Sequence, residues 1–269
     1  LIKKKAKKMM KMIIIIVFCT ILFLFLLFIA SFVVFEKWWR WKSADTVDAT
    51  IKVKTKTTTA LTAPARKKDD YLTLCPPHFG YTMPVLFPQF LEYEECDYLI
   101  GLTRKKGFMK SRIGDQNKHE SRKSKTCWLN RTDDALIDSI MDRLAFLFDV
   151  EDSSLEPMQI VYYNIDDYFD LHYDQCLFKK PCCKKEMERY GDRPRTKTFL
   201  LYLNHPQEYI GGETHFPLLN ARYKLDKGSA LLFHNLDTSE NYVHPKSLHA
   251  GTKVISGEKW IVNIWVRGS

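Results

Sequence analysis

His172 and Asp174 stand two residues apart in the aromatic run Tyr168-Phe169-Asp170-Leu171-His172-Tyr173-Asp174. A strand through that run puts both side chains on one face, an imidazole beside a carboxylate. A third ligand is offered by His249 in Ser247-Leu248-His249-Ala250-Gly251, ahead of a second strand-like run, Lys259-Trp260-Ile261-Val262-Asn263-Ile264-Trp265-Val266. Two histidines and one carboxylate form the donor set of non-haem Fe(II) oxygenases, which keep coordination positions open for a co-substrate and O₂. The His-x-Asp pair alone carries little weight, because a surface Asp beside a hydrogen-bonded His has the same spacing. Lys259, ten residues past His249, adds to it. An enzyme that buries a dicarboxylate keto acid needs a cation deep in its pocket, since an unpaired buried charge is costly.

These residues need a scaffold, and the hydrophobic pattern predicts one. From Pro88 the apolar residues Phe90, Leu91, Tyr93, Cys96, Tyr98, Leu99 and Leu102 share a helical face, with acidic residues early and Arg104, Lys105 and Lys106 late, before Gly107 ends the run. A second helix is expected from about Asp133 to Phe148, capped by Thr132 or Asp133. After Pro157 the pattern turns to short strands: Met158–Tyr163, Tyr168–Asp174, Thr196–Asn204, Gly212–Pro217, Ala221–Leu225, Ser229–Asn235, Ser247–Gly251 and Trp260–Val266. Strands of this length, with Gly and Pro between them, predict two antiparallel sheets in a jelly roll that holds a small ligand at its mouth. The polar segment Gln175–Arg195 reads as a surface excursion leaving directly from Asp174.

Several motifs occur in one order: Tyr163, His172-Tyr173-Asp174, Thr198 to Asn204, Gly211-Gly212-Glu213-Thr214-His215-Phe216-Pro217, Lys227-Gly228-Ser229-Ala230, His249-Ala250-Gly251 and Gly257-Glu258-Lys259-Trp260. Over about residues 84 to 267 the chain resembles the catalytic domain of prolyl 4-hydroxylases, above all the single-chain forms of plants, algae and large viruses. The resemblance implies a double-stranded β-helix, a mainly β core with flanking helices. It implies Fe(II) held by His172, Asp174 and His249, and 2-oxoglutarate with its far carboxylate on Lys259, Tyr163 and Thr198. It also implies ascorbate as the reductant that restores oxidised iron, and a proline-containing peptide as substrate, in a groove bordered by Arg122 and Trp128. The chain departs from the family at Phe169, three residues before His172, where a Tyr is frequent. Two other readings compete. A peptidyl-lysine hydroxylase is disfavoured because such relatives usually carry Arg at the place of Lys259. A non-catalytic proline-rich peptide-binding module is disfavoured by the intact ligand set.

The remainder of the chain bears on location. Residues 13 to 35 form an apolar stretch long enough to cross a bilayer. Six lysines precede it, and Trp38, Trp39 and Trp41 follow it. This predicts a single-pass anchor with a cytoplasmic basic tail (residues 1–12), a stalk (residues 36–83) and a lumenal catalytic domain (residues 84–269) in the endoplasmic reticulum or Golgi. The net charge of +9 divides unevenly: residues 1–68 hold 15 Lys and Arg against 3 Asp and Glu, and the rest holds 26 against 29. The basicity therefore belongs to the membrane-proximal tail and indicates no nucleic-acid partner. Cys75, Cys96, Cys127, Cys176, Cys182 and Cys183 suit an oxidising compartment, with pairing left open. Asn130-Arg131-Thr132 is a glycosylation sequon if the domain is lumenal. His215 and His234 read as structural, Arg267 as an exposed terminal residue, and oligomeric state is not legible.

Overall fold

The computed structural model describes residues 74–75, 79–111, 121–177 and 181–268, all within a unit that spans Thr62–Ser269. The apolar stretch 13–35 and the stalk up to residue 73 lie outside the described residues, as do His78 and His119. Among the described residues no helix is long and apolar enough to cross a membrane.

Among the described residues fourteen strands and three α-helices follow in the order β1 (Val85–Phe87), α1 (Tyr93–Lys106), β2 (Met109–Lys110), β3 (Arg122–Lys123), β4 (Lys125–Leu129), α2 (Ala135–Phe148), β5 (Met158–Tyr163), β6 (Tyr168–His172), α3 (Pro181–Arg189), β7 (Arg195–Tyr202), β8 (Tyr209–Gly211), β9 (Thr214–Phe216), β10 (Ala221–Tyr223), β11 (Ala230–His234), β12 (His249–Gly251), β13 (Val254–Gly257) and β14 (Lys259–Arg267). A seven-stranded sheet runs β1-β11-β7-β14-β5-β4-β2, and a five-stranded sheet runs β10-β9-β12-β6-β3. A short β13-β8 ribbon completes the set. Pairing within these sheets is antiparallel throughout. This is the mainly β, jelly-roll architecture expected from the strand spacing.

The large sheet is buried on both faces, which explains why β14 reads as a nearly unbroken apolar run. On its outer face Ile160, Phe199, Leu201, Val262, Ile264 and Val266 pack with Leu99 of α1 and with Ile137, Ile140, Met141 and Leu144 of α2. On its inner face Val161, Leu200, Tyr202, Leu231, Phe233 and Ile261 meet Phe216 of the smaller sheet. Each fully buried Leu, Ile or Phe here contributes roughly 1.5–3 kcal/mol of transfer free energy. The helices are supports: α1 is closed by Gly107, whose N–H donates to the Thr103 carbonyl at 2.9 Å. In α2 the cap is Asp134, one residue later than expected, its carboxylate accepting from the Leu136 N–H at 2.9 Å.

Three readings need correction, and the cysteine pairing left open is partly settled. The excursion after Asp174 contains helix α3, tied to the strand end by a Cys176–Cys183 disulfide with 5.6 Å between Cα atoms. Its polar sequence hid the helix because α3 is held by ion pairs and this bond more than by an apolar stripe. Cys75, Cys96 and Cys127 are buried free thiols. Arg267 is not exposed: it is 2% accessible and pairs with Glu156 at 2.6 Å and Glu186 at 2.9 Å. The folded body also begins before residue 84, since the Cys75 N–H donates to Val243 O and the Tyr81 hydroxyl to His234 O, each at 3.0 Å.

Candidate metal centre

Strands β6 and β12 are antiparallel neighbours in the small sheet, and their register sets His249 directly opposite His172. That pairing brings together two imidazoles that are 77 positions apart in sequence, their ring centroids 4.2 Å from each other. Asp174 lies just past the end of β6, so it reaches the histidines through the turn rather than along the strand as the His-x-Asp spacing suggested. Its Oδ1 stands 3.5 Å from His172 Nε2 and 3.8 Å from His249 Nε2. One ligand atom from each of the three residues falls within 4.8 Å of the others.

The ring orientations suit a metal. His172 Nδ1 donates to the Asp170 carbonyl at 2.7 Å, and His249 Nδ1 to the Ser247 carbonyl at 2.9 Å. With Nδ1 committed to a backbone oxygen, each ring presents Nε2 toward Asp174, the tautomer a cation requires. Burial, then the nearby His172, pushes the His249 pKa down to about 4, so its ring is neutral at pH 7. For Asp174 burial opposes ionisation, but His249, His172 and the Thr198 hydroxyl outweigh it and hold the carboxyl well below its usual range. Two imidazole Nε2 atoms and one carboxylate are a donor set that fits Fe(II). Phe169 stacks on His172 at 3.5 Å between centroids, and Phe216 and Phe233 flank His249. These rings restrict the imidazoles from the sides.

From the large sheet Tyr163 and Lys259, opposite each other in the β5–β14 register, project into the same interior. A Cβ at Gly251 would stand 3.6 Å from the Tyr163 hydroxyl, so β12 passes close over it two residues beyond His249. Lys259 is 2% accessible and has no hydrogen-bond or ion-pair partner among the described residues. Its ammonium lies 5.4 Å from the centre of the Tyr163 ring and 5.7 Å from that of Tyr202. Burial pushes its pKa down to about 7, which Glu213 partly offsets. A buried amine between two tyrosine rings is a receptor for an anion such as a carboxylate.

Not every expected residue falls where the sequence put it. Thr198 pairs with Trp265 in the β7–β14 register, six positions along β14 from Lys259. At a rise of about 3.4 Å per residue that is ~20 Å of strand, and the Thr198 hydroxyl donates instead to Asp174 Oδ2 at 2.7 Å. Thr198 thus stands at the metal end and not at the Lys259 end. Thr214 is the hydroxyl that sequence reading passed over: it is buried and lies 2.7 Å from the Tyr202 hydroxyl, whose ring neighbours Lys259. It was in view within the Gly-Gly-Glu-Thr motif, but nothing in the spacing marked it for the pocket. Trp128 sits on the inner face of β4, 6.0 Å from Trp265. Arg122 is buried rather than displayed on a loop, its Nε donating to Ser124 Oγ at 3.0 Å and its guanidinium lying 4.5 Å over Phe169. Its Nη2 is buried without a partner among the described residues. His215 pairs with Ala250 and Arg222 across the small sheet, and His234 ends β11, both outside the ligand cluster.

Comparison with known proteins agrees with this geometry. Residues 158–267 match the 2OG-Fe(II) oxygenase superfamily. A putative prolyl 4-hydroxylase of Acanthamoeba polyphaga mimivirus is 33% identical over 187 residues, covering 70% of this chain and 75% of the viral protein. Probable prolyl 4-hydroxylase 6 of Arabidopsis thaliana is 31% identical, covering 67% of each chain. Among solved structures, the viral collagen prolyl hydroxylase of Paramecium Bursaria Chlorella virus-1, in its 2OG complex, superposes with a TM-score of 0.55 at 30% identity. That match covers 69% of this chain and 96% of the other.

Proposed function

We infer, from the premise that this chain belongs to the prolyl 4-hydroxylases of the 2OG-Fe(II) oxygenase superfamily, that it hydroxylates proline in peptides using O₂ and 2-oxoglutarate, releasing succinate and CO₂. The observation that carries the reading is the convergence of His172, Asp174 and His249 in one interior with the buried, unpaired Lys259. Iron supplies the oxidising power for an unactivated carbon, which no side chain of ordinary acidity or basicity provides. In this reading the protein's own groups bind, orient and keep the centre dry. His172, Asp174 and His249 hold the metal on one side. Lys259 neutralises the far carboxylate of the co-substrate, with Tyr163 as a hydrogen-bond donor beside it. Phe216, Phe233 and Leu200 keep water from the centre. Ascorbate serves as reductant for oxidised iron, as the family implies.

The peptide is proposed to lie over the inner face near the half-buried Trp128, with Arg122 as a buried donor at its edge. An accessible indole favours a polyproline II ligand, whose flat pyrrolidine faces suit aromatic surfaces. The name of the viral structural neighbour supports a collagen-like substrate, and the plant relative leaves Pro-rich sequences equally open. The domain is further proposed to be lumenal, anchored by residues 13–35, and glycosylated at the exposed Asn130. This is supported by the lysine asymmetry around the stretch and by the Cys176–Cys183 bond.

Incubation with Fe(II), 2-oxoglutarate and sets of Gly-x-Pro and Pro-rich peptides tests the activity, with added oxygen located by mass spectrometry. Peptide-dependent succinate release by the wild type, and none by His172→Ala, is the expected result. Peptide binding without turnover would instead make the chain a binding module.

A further inference from the structure

Two polar side chains sit at 0% accessibility on the inner face around the metal ligands, Thr198 and Asn235. Their neighbours Leu200 and Phe233 are apolar, so each group costs desolvation energy unless its hydrogen bonds are met. Their hydrogen bonds run to each other and to the metal carboxylate, with Asn235 Oδ1 left buried and without a partner among the described residues: Asn235 Nδ2 donates to Thr198 Oγ1 at 3.0 Å, and Thr198 Oγ1 donates to Asp174 Oδ2 at 2.7 Å. The direction of this relay is fixed by chemistry. An ionised carboxylate only accepts, so the threonine proton points to Asp174, its lone pair is left to accept, and the asparagine must offer its amide nitrogen.

The backbone of Asn235 extends the same connection to a second ligand. Its carbonyl accepts from the His244 N–H at 3.1 Å and lies 3.2 Å from Ser247 Oγ, whose shorter hydrogen bond is to the His244 carbonyl at 2.8 Å, and the Ser247 carbonyl holds His249 Nδ1 at 2.9 Å. Asn235 is itself anchored by its N–H, which donates to Thr196 O at 2.8 Å. One residue, just past the end of β11, therefore braces the carboxylate ligand through its side chain and one histidine ligand through its main chain.

We propose that Thr198 and Asn235 are positioning residues of the metal centre, the relay occupying Asp174 Oδ2 so that Oδ1, the oxygen facing both histidines, is the ligand. The proposal rests on the reading of the site as an Fe(II) centre. It also separates Thr198 from the co-substrate, the role its place in the sequence suggested.

The test uses the full chain and titrates Co(II), followed by its visible absorption bands, alongside KM for 2-oxoglutarate at saturating metal. Thr198→Val is expected to weaken Co(II) binding roughly 10- to 100-fold, in line with the effect of removing groups that orient metal ligands. Thr198→Ser, which keeps the hydroxyl, is expected to restore it, and KM for 2-oxoglutarate should stay within about two-fold in either variant. Asn235→Ala should weaken Co(II) binding as well, and the double variant should lose little more than Thr198→Val alone, because both act on one relay. Wild-type Co(II) affinity in Thr198→Val, or in Asn235→Ala should the valine variant not fold, overturns the proposal while leaving the iron reading intact. A raised KM for 2-oxoglutarate with unchanged metal affinity overturns it too, returning Thr198 to the co-substrate. If the wild-type chain binds no Co(II), the iron reading falls and the proposal with it.

Discussion

Lys259 states most plainly what a single side chain demands of its surroundings. Its amine is buried among Tyr163 and Tyr202 with a pKa near 7, whereas in the complex a bound carboxylate favours the protonated form. The complex therefore holds more protons at this site than the protein alone, and binding takes up a proton above pH 7. The affinity for 2-oxoglutarate should fall as pH rises from about 7, approaching tenfold per unit, as isothermal titration across pH 6.5 to 9 would read. Lys259→Ala removes the charge altogether, and KM for 2-oxoglutarate should rise by at least about tenfold, the equivalent of ~1.4 kcal/mol, while Co(II) affinity holds. An unchanged KM would mean that the keto acid binds elsewhere. His172, Asp174 and Lys259 were legible as chemistry because their residue types are costly to place without a use. Thr198 was legible as polar, but which end of the pocket it served was not. One hydroxyl suits a carboxylate ligand or a carboxylate substrate equally, and only the β7–β14 register assigns it.

Among the elements, α3 is the one whose presence depends least on its own sequence. It leaves from beside Asp174, and Glu186 pairs with Arg267 at 2.9 Å and with Arg195 at 3.5 Å. Arg195 in turn donates to the Asp174 carbonyl at 3.1 Å, stacks on Trp265 at 3.8 Å and pairs with Glu156 at 2.6 Å. Without α3, two buried guanidiniums would share Glu156 alone, which is an expensive arrangement. The Cys176–Cys183 bond keeps α3 in place by shortening the loop it can wander through. Cys183→Ser should lower stability by about 2–4 kcal/mol, and added dithiothreitol should do the same to the wild type but nothing further to the variant. Denaturant melts of the two proteins, oxidised and reduced, make the comparison. By contrast α1, α2 and the long strands β5, β7 and β14 were readable in advance, since their apolar periods match 3.6 and near-continuous burial. The β13-β8 ribbon and β1 escaped notice because strands of three or four residues carry too few periods to be seen.

For the molecule as a whole, the large sheet separates structure from chemistry. Its outer face is a store of stability against α1 and α2, and its inner face carries Tyr163, Thr198 and Lys259. Leu201→Ala, on the outer face at 0% accessibility, should cost about 2–5 kcal/mol in denaturant melts while leaving KM for 2-oxoglutarate unchanged. The metal ligands belong to the small sheet and its adjoining turn, and the lysine to the large one. Co(II) and 2-oxoglutarate together should therefore link the sheets and raise the unfolding midpoint more than either alone. His172→Ala should abolish the metal-dependent part of that rise in a thermal scan. A rise with Co(II) that survives in His172→Ala would mean the ion binds away from β6.

What the sequence determined by itself is the list of parts. Hydrophobic period marks helix and strand wherever an element is long enough to repeat, and costly residue types mark the chemistry, so the jelly roll, the His-Asp-His set and the lysine could be named in order. What only the tertiary structure decided is which parts meet. The opposition of His172 and His249, the claim of Asp174 on Thr198, the burial of Arg267 and the seating of α3 all arise from strand register and charge pairing between distant segments. Those contacts lower the free energy only after the chain has closed long loops, so no local pattern records them.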